Sequence, residues 1–334
     1  MIRKLAAATA LLASACAPVV QEAGKPHASF AGPRLMTDAF VSFDGTQLAL
    51  TRWEPEREPW AVIVAVHGFN DYANAFRFAG PYWAERGAAT YAYDQRGYGR
   101  SPRRGVWGGA ELMAEDLRTL TALVRRKHPD AVVAVVGESM GGSVAVEAFA
   151  SDRPPAAERL VLLAPGVWGW AAQPPHYAAA LWIGARVAPG RVLAPPRFIT
   201  RHVKPTDNRE EMERMGRDRL MIWGSRIDAM YGVTGLMHRA WAKMGRLEVP
   251  TAYFYGYNDK IIPKRPTFQA AALLKPTDRT AYYRGGWHLL VRDRQRERVM
   301  ADVLAFIRDP AAPWPSGAPP LPVRGRVAGA RAGE

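Results

Sequence analysis

The sequence predicts an α/β fold: a mostly parallel eight-stranded sheet with helices on both faces and an inserted helical cap. Three observations carry this. Short apolar runs alternate with longer amphipathic ones through residues 38–163 and again through 251–307, the pattern of strand–helix–strand crossovers. Val132-Val133-Ala134-Val135-Val136-Gly137-Glu138-Ser139-Met140-Gly141-Gly142 runs from a buried strand through G-x-S-x-G into a small-residue helix start. The alternation then stops between Gly166 and Pro250, in a stretch rich in Trp, Met, Arg and Pro. A chain of 334 residues with 48% hydrophobic content can bury one large core and carry such an insertion.

From the N-terminus, Met1-Ile2-Arg3-Lys4 is a short basic region, and Leu5–Ala15 is an apolar run too short to span a bilayer. It ends in Leu12-Ala13-Ser14-Ala15-Cys16, and Cys16 is the only cysteine. This resembles a bacterial lipoprotein signal, residues 1–16, in which Cys16 becomes the lipidated first residue; Ala13 stands where Leu is usual. A secretory signal cleaved near Ala15 or Ala17 is the alternative. Either way an exported protein is expected: a membrane-anchored lipoprotein, on the outer membrane since Ala17 rather than Asp follows the cysteine, or else periplasmic or secreted. A lone cysteine leaves the fold to stand on its core without an intrachain disulfide. Residues 17–35 read as a tether.

Residues 36–165 form the first part of the predicted core. Strands are expected near 38–43, 46–53, 60–66, 88–93, 131–136 and 160–163, the first two as an antiparallel hairpin, with helices near 73–86, 109–128 and 140–151. Trp60–Val66 is a second buried strand and ends in His67-Gly68-Phe69-Asn70. A serine hydroxyl is a poor nucleophile unless the backbone offers it to a base and to amide donors together, and a sharp strand-to-helix turn at Ser139 does both. The Phe69 and Met140 N–H groups are the candidate oxyanion donors. The loop 94–104 follows the fourth strand; its glycines and arginines are read as shaping and pinning that loop.

Residues 250–308 form the second part of the core, with strands near 251–255 and 280–283 and helices near 264–273 and 293–307. Of the seven histidines, only His288 follows the last strand-like segment, in Gly285-Gly286-Trp287-His288, where a base is needed. For the acid, Asp259 sits in the turn just beyond the strand 251–255, whereas Asp228 and Asp278 sit directly beyond no strand. Residues 309–334 read as a Pro/Gly/Ala/Arg tail unlikely to fold.

With these residues in view, the chain resembles a known family. His67-Gly68-Phe69, Asp94–Ser101, Gly137–Gly142, Gly256–Pro263 and Gly286-Trp287-His288 are similar to the monoacylglycerol lipase and lysophospholipase branch of the α/β-hydrolases, over roughly residues 38 to 308. The resemblance implies an α/β-hydrolase fold with Ser139 as nucleophile, Asp259 as acid, His288 as base, and the Phe69 and Met140 amides as oxyanion hole. Many members carry His where this chain has Glu138, although Glu also occurs there.

The interruption at residues 166–249 is where such folds insert a cap over the active site. Trp168, Trp170, Trp182, Trp223 and Trp241, with Met212, Met215, Met221, Met230, Met237 and Met244, give it an adaptable apolar surface suited to an acyl chain, although many of them can equally form the cap's own small core. The net charge of +14 raises nucleic acid as a partner. Dispersed arginines, the absence of a basic recognition motif and the expected export argue against it. A basic surface on an anchored protein suits anionic headgroups, or is an ordinary solvated arginine surface. No zinc spacing, P-loop or dinucleotide fingerprint is present, so no cofactor and no metal are implied.

The expected function is a serine hydrolase of carboxylic esters of lipid-like substrates, with an acyl-enzyme on Ser139. A general carboxylesterase, thioesterase or acyltransferase would use the same residues. A non-catalytic envelope lipoprotein is the reading from another class. Ser139, rather than an aspartate, argues against an epoxide hydrolase or dehalogenase.

Overall fold

The computed structural model describes residues 18–196 and 203–323. Cys16 and the leader lie outside the described residues, as does part of the tail. Among the described residues nine strands form one sheet in the order β1-β2-β3-β5-β4-β6-β7-β10-β11. β1 (Arg34–Leu35), β2 (Ala39–Val41) and β3 (Gln47–Trp53) run as an antiparallel meander, and β3 joins antiparallel to β5 (Ala88–Tyr93). From there β5, β4 (Ala61–Val66), β6 (Val132–Glu138), β7 (Arg159–Leu163), β10 (Thr251–Gly256) and β11 (Arg279–Tyr283) are all parallel. The eight expected strands are present; β1 is a two-residue addition from the segment expected to be a tether.

β4, β5 and β10 are buried at every position, as continuous apolar runs covered on both faces should be. One face packs against α2 (Ala110–Lys127) and α3 (Met140–Phe149). The other packs against α1 (Ala79–Ala84) and α8 (Arg296–Arg308). The helix expected over 73–86 divides into a 3₁₀ turn at Ala73–Phe76 and the short α1, because Pro81 fits only a first turn. β4 has β5 on one side and β6 on the other. The strand order therefore reverses direction at β4, and the carboxyl ends of β4 and β6 border a crevice suited to ligand.

Two expectations about the ends need correction. The tether is laid onto the body: the Gln21 N–H donates to the Trp107 carbonyl at 2.8 Å, and Gly24 N–H to the Asp44 carboxylate at 2.6 Å. The tail from residue 309 is packed as far as Val323: Trp314 donates to the Thr280 carbonyl at 3.1 Å and stands edge-on to Phe254, and Leu321 and Val323 are buried. A few apolar anchors are enough to order a Pro- and Gly-rich strand of chain when a groove already exists.

Between β7 and β10 the described chain forms α4 (Pro175–Val187), a two-stranded ribbon of β8 (Val192–Leu193) and β9 (Ser225–Arg226), α5 (Arg209–Arg217) and α6 (Ile227–Lys243), with α7 (Lys264–Ala272) following β10. The apolar set of this region divides three ways. Met244 joins the main core, and Trp168, Met237 and Trp241 pack against its edge. Met215 and Met221 cluster with Leu289, the neighbour of His288. Trp182 and Trp223 instead face outward, about half exposed.

Candidate active site

β6 delivers Ser139 at its carboxyl end. Ser139 has φ 53° and ψ −120°, a left-handed conformation that costs a side-chain-bearing residue roughly 1–3 kcal/mol. Two anchors hold the strained turn: the Ser139 N–H donates to the Leu163 carbonyl at 2.9 Å, and its carbonyl accepts from the Gly166 N–H at 2.9 Å. The serine is partly exposed, and α3 starts at Met140 directly behind it. The Met140 N–H thus belongs to the free first turn of a helix.

β4 delivers His67 and the loop after it. The Gly68 backbone lies against the Ser139 turn: a Cβ at Gly68 would stand 3.2 Å from the Ser139 Cβ. His67 is wholly buried. Its Nε2 accepts from the Gln95 N–H at 2.9 Å, so Nδ1 carries the proton and donates to the Gly68 carbonyl at 2.8 Å. Burial, the largest influence, pulls the His67 imidazole below its ordinary value, against the pull of Asp71. A neutral His67 therefore braces the loop carrying Phe69. Tyr98 packs edge-on to both His67 and Phe69. Asn70, at φ 65°, ties the same loop to the cap through Nδ2 to Ser225 Oγ at 2.7 Å and its carbonyl to the Ile222 N–H at 3.0 Å.

β10 and β11 deliver Asp259 and His288. Asp259 lies three residues beyond β10, and its Oδ1 accepts from the Ile261 and Ile262 N–H groups at 2.7 and 3.0 Å. Its Oδ2 accepts from His288 Nδ1 at 2.8 Å. That bond leaves Nε2 unprotonated in the neutral ring. The His288 loop reaches this position over Gly256, where a Cβ would come within 2.3 Å of the Trp287 carbonyl. Both residues are buried, His288 to 3% exposure. Burial pushes the imidazole down, but the Asp259 carboxylate, its hydrogen bond and the charge of Glu138 outweigh that, and the net shift is upward. The other two acids are engaged elsewhere. Asp228 pairs with Arg226 at 2.6 Å in the cap. Asp278 accepts from the Thr251 N–H at the opposite end of β10.

The loop after β5 is pinned as its composition suggested. Arg96 is buried between Asp44 and Asp116, at 2.8 and 2.5 Å. Gln95 Nε2 donates to the His67 carbonyl at 2.7 Å. Sequence reasoning missed one group at the site. Arg292, fully buried, pairs with Glu138 at 2.5 Å and with Asp71 at 2.7 Å. No local pattern signals this, since 154 residues separate Arg292 from Glu138.

A cavity of about 450 Å³ is lined by Val167, Trp241, Pro266, His238, Arg265 and Gln269 among others, and by none of Ser139, Asp259, His288, Phe69 and Met140. Among the described residues no cluster of ligands could hold a metal ion, and no helix is long and apolar enough to cross a membrane.

Comparison with known proteins agrees with this architecture. The Hydrolase_4 family model, described as serine aminopeptidase S33, matches residues 57–295. The chain belongs to this family. It is 24% identical over 282 residues to a monoacylglycerol lipase of Mycolicibacterium smegmatis, covering 80% of this chain and 95% of that one. A monoglyceride lipase of Mus musculus is 23% identical over 289 residues, covering 84% and 93%. Among solved structures, the Paleococcus ferrophilus monoacylglycerol lipase superposes with a TM-score of 0.63 at 20% identity, over 78% of this chain and 98% of that one. A soluble variant of the Saccharomyces cerevisiae monoglyceride lipase with a substrate analogue gives 0.66 at 14% identity, over 86% and 98%. These structures establish the α/β-hydrolase fold.

Proposed function

We propose that the protein hydrolyses esters of lipid-like substrates, of the monoacylglycerol or lysophospholipid kind, through an acyl-enzyme on Ser139. That it is a carboxylic ester hydrolase follows from its family and its near-full-length lipase relatives. The observation that carries the mechanism is the left-handed Ser139 turn at the same edge of the sheet as the buried Asp259–His288 pair. Ser139 Oγ attacks the ester carbonyl as His288 Nε2 takes its proton, and the Phe69 and Met140 N–H groups receive the oxyanion. Collapse expels the alcohol, which leaves with the proton from His288. Water, deprotonated by the same imidazole, then releases the fatty acid. Asp259 stabilises the imidazolium formed in each half-reaction.

The Met215–Met221–Leu289 cluster, next to His288, supports a greasy acyl group. Activity is therefore expected to rise with acyl length until the pocket is filled. Each buried CH₂ contributes about 0.8 kcal/mol, so two more methylenes raise kcat/KM roughly tenfold before the gain levels off. Measuring kcat/KM from acetate to palmitate esters, below their micellar concentrations, tests this. A maximum at acetate would leave only a general carboxylesterase.

We also propose that the chain is anchored to a bacterial membrane through Cys16. The exposed apolar side chains Tyr177, Trp182, Ile183 and Val187 on α4 support work at a lipid surface. Full-length protein made in a Gram-negative host should incorporate palmitate and fractionate with membranes, and Cys16→Ala should lose both properties. A processed but unlipidated, soluble protein would identify a plain secretory signal.

A further inference from the structure

We propose that Arg292 is a positioning residue whose guanidinium holds the three loops of the active site in register. The inference rests on the catalytic roles given above for Ser139 and His288. Arg292 lies four residues beyond His288, on a turn closed by its own N–H donating to the Leu289 carbonyl at 2.8 Å. Nη2 donates to Glu138, the residue immediately before Ser139, at 2.5 Å. Nη1 reaches Asp71, two residues beyond Phe69, at 2.7 Å. Nη1 also touches Met215 Sδ in α5 at 3.9 Å. One planar fork thus ties the base loop, the nucleophile turn and the oxyanion loop to one another, with the cap resting on it.

A stability role alone accounts poorly for this arrangement. Burying charges costs several kcal/mol per ion, and apolar replacement of a buried ion pair is often neutral or favourable. Moreover, the network is incompletely satisfied: Arg292 Nε and Glu138 Oε2 are buried with no hydrogen-bond partner among the described residues. What the network provides is geometry. Lysine is no substitute, because its single ammonium nitrogen cannot occupy both the Nη1 position at Asp71 and the Nη2 position at Glu138. The guanidinium keeps its charge throughout the working pH range, whereas burial raises the pKa of its Glu138 partner. The network gives Glu138 a role of its own: its side chain is the anchor for Arg292.

The charges of the clamp also act on the base. His288 faces the Asp259 and Glu138 carboxylates, which favour its protonated form, and the Arg292 guanidinium, which opposes it. The two halves of the clamp should therefore move the pH profile in opposite directions, which a merely structural role would not do.

The test uses the full chain with a water-soluble p-nitrophenyl ester, circular dichroism to verify folding, and a fluorophosphonate probe for Ser139. R292K should lower kcat about 10- to 100-fold through misplacement of the loops, with KM little changed and the pH midpoint of kcat/KM near that of the wild type. R292Q should lose at least as much and move the midpoint upward. E138Q should also lower kcat and move the midpoint downward. Wild-type kcat in R292K or R292Q overturns the proposal, as do losses with no opposed shift in the midpoint. If R292Q does not fold, the isosteric E138Q decides: an unchanged kcat and midpoint refute the clamp. A wild-type protein that neither hydrolyses the ester nor labels at Ser139 refutes the catalytic reading itself. An active wild type with indifferent Arg292 variants refutes the clamp alone.

Discussion

Ser139→Ala is expected to abolish ester hydrolysis, with a loss on the order of 10⁶ in kcat. The substitution removes one hydroxyl from a partly exposed turn and leaves the core, the Leu163 and Gly166 backbone bonds and α3 unchanged. The melting temperature should stay near that of the wild type. Because nucleophile and base act as a unit, His288→Ala should cost about as much, and the two losses should not add. Steady-state rates on a p-nitrophenyl ester, with the melting curve alongside, check this; residual activity above a few per cent of wild type in S139A would place the nucleophile elsewhere.

Asp259→Asn is the second large effect, a loss of about 10⁴ in kcat. The amide can donate to Nδ1, which favours the wrong tautomer, and it no longer stabilises the imidazolium. The pH profile gives a further readout. His288 must be neutral to accept the serine proton, so activity appears as pH rises through its pKa. That pKa is held above the ordinary 6.5 by Asp259 and Glu138 against the effect of burial. The acid limb of the wild type should accordingly lie above this value, and removing the Asp259 charge should move it to lower pH. Asp228→Asn and Asp278→Asn should leave kcat/KM near wild type, since their carboxylates pair in the cap and at the far end of β10. A large loss at either, with little at Asp259, would move the acid there.

Much of the fold was legible because a parallel sheet buried on both faces writes itself as continuous apolar runs. Val132–Val136 and Ala61–Val66 need only local sequence to be recognised as strands, and Ser139, Asp259 and His288 were chosen by their place just beyond strand ends. The parallel topology brings all those ends to one edge. What stayed hidden depends on distant partners. Gln21 and Trp314 look like residues of unstructured ends until the grooves that receive them exist. The same holds for Trp182 and Trp223, whose exposure is set by how the cap helices sit and not by their own hydrophobicity. Arg292 is the sharpest case. A lone arginine beside Asp293 and Arg294 resembles any solvated charge run, yet its partners lie on two other loops.

The central claim, that Ser139 is the nucleophile and carries the acyl group, is tested most directly by mass spectrometry of the protein after brief exposure to an activated fluorophosphonate. The account predicts a single phosphonyl adduct on the peptide containing Gly137–Gly142, formed at a rate that rises with pH as His288 loses its proton, and absent from S139A. An unlabelled Ser139 in protein that still hydrolyses esters, or an adduct on another residue that persists in S139A, would contradict it.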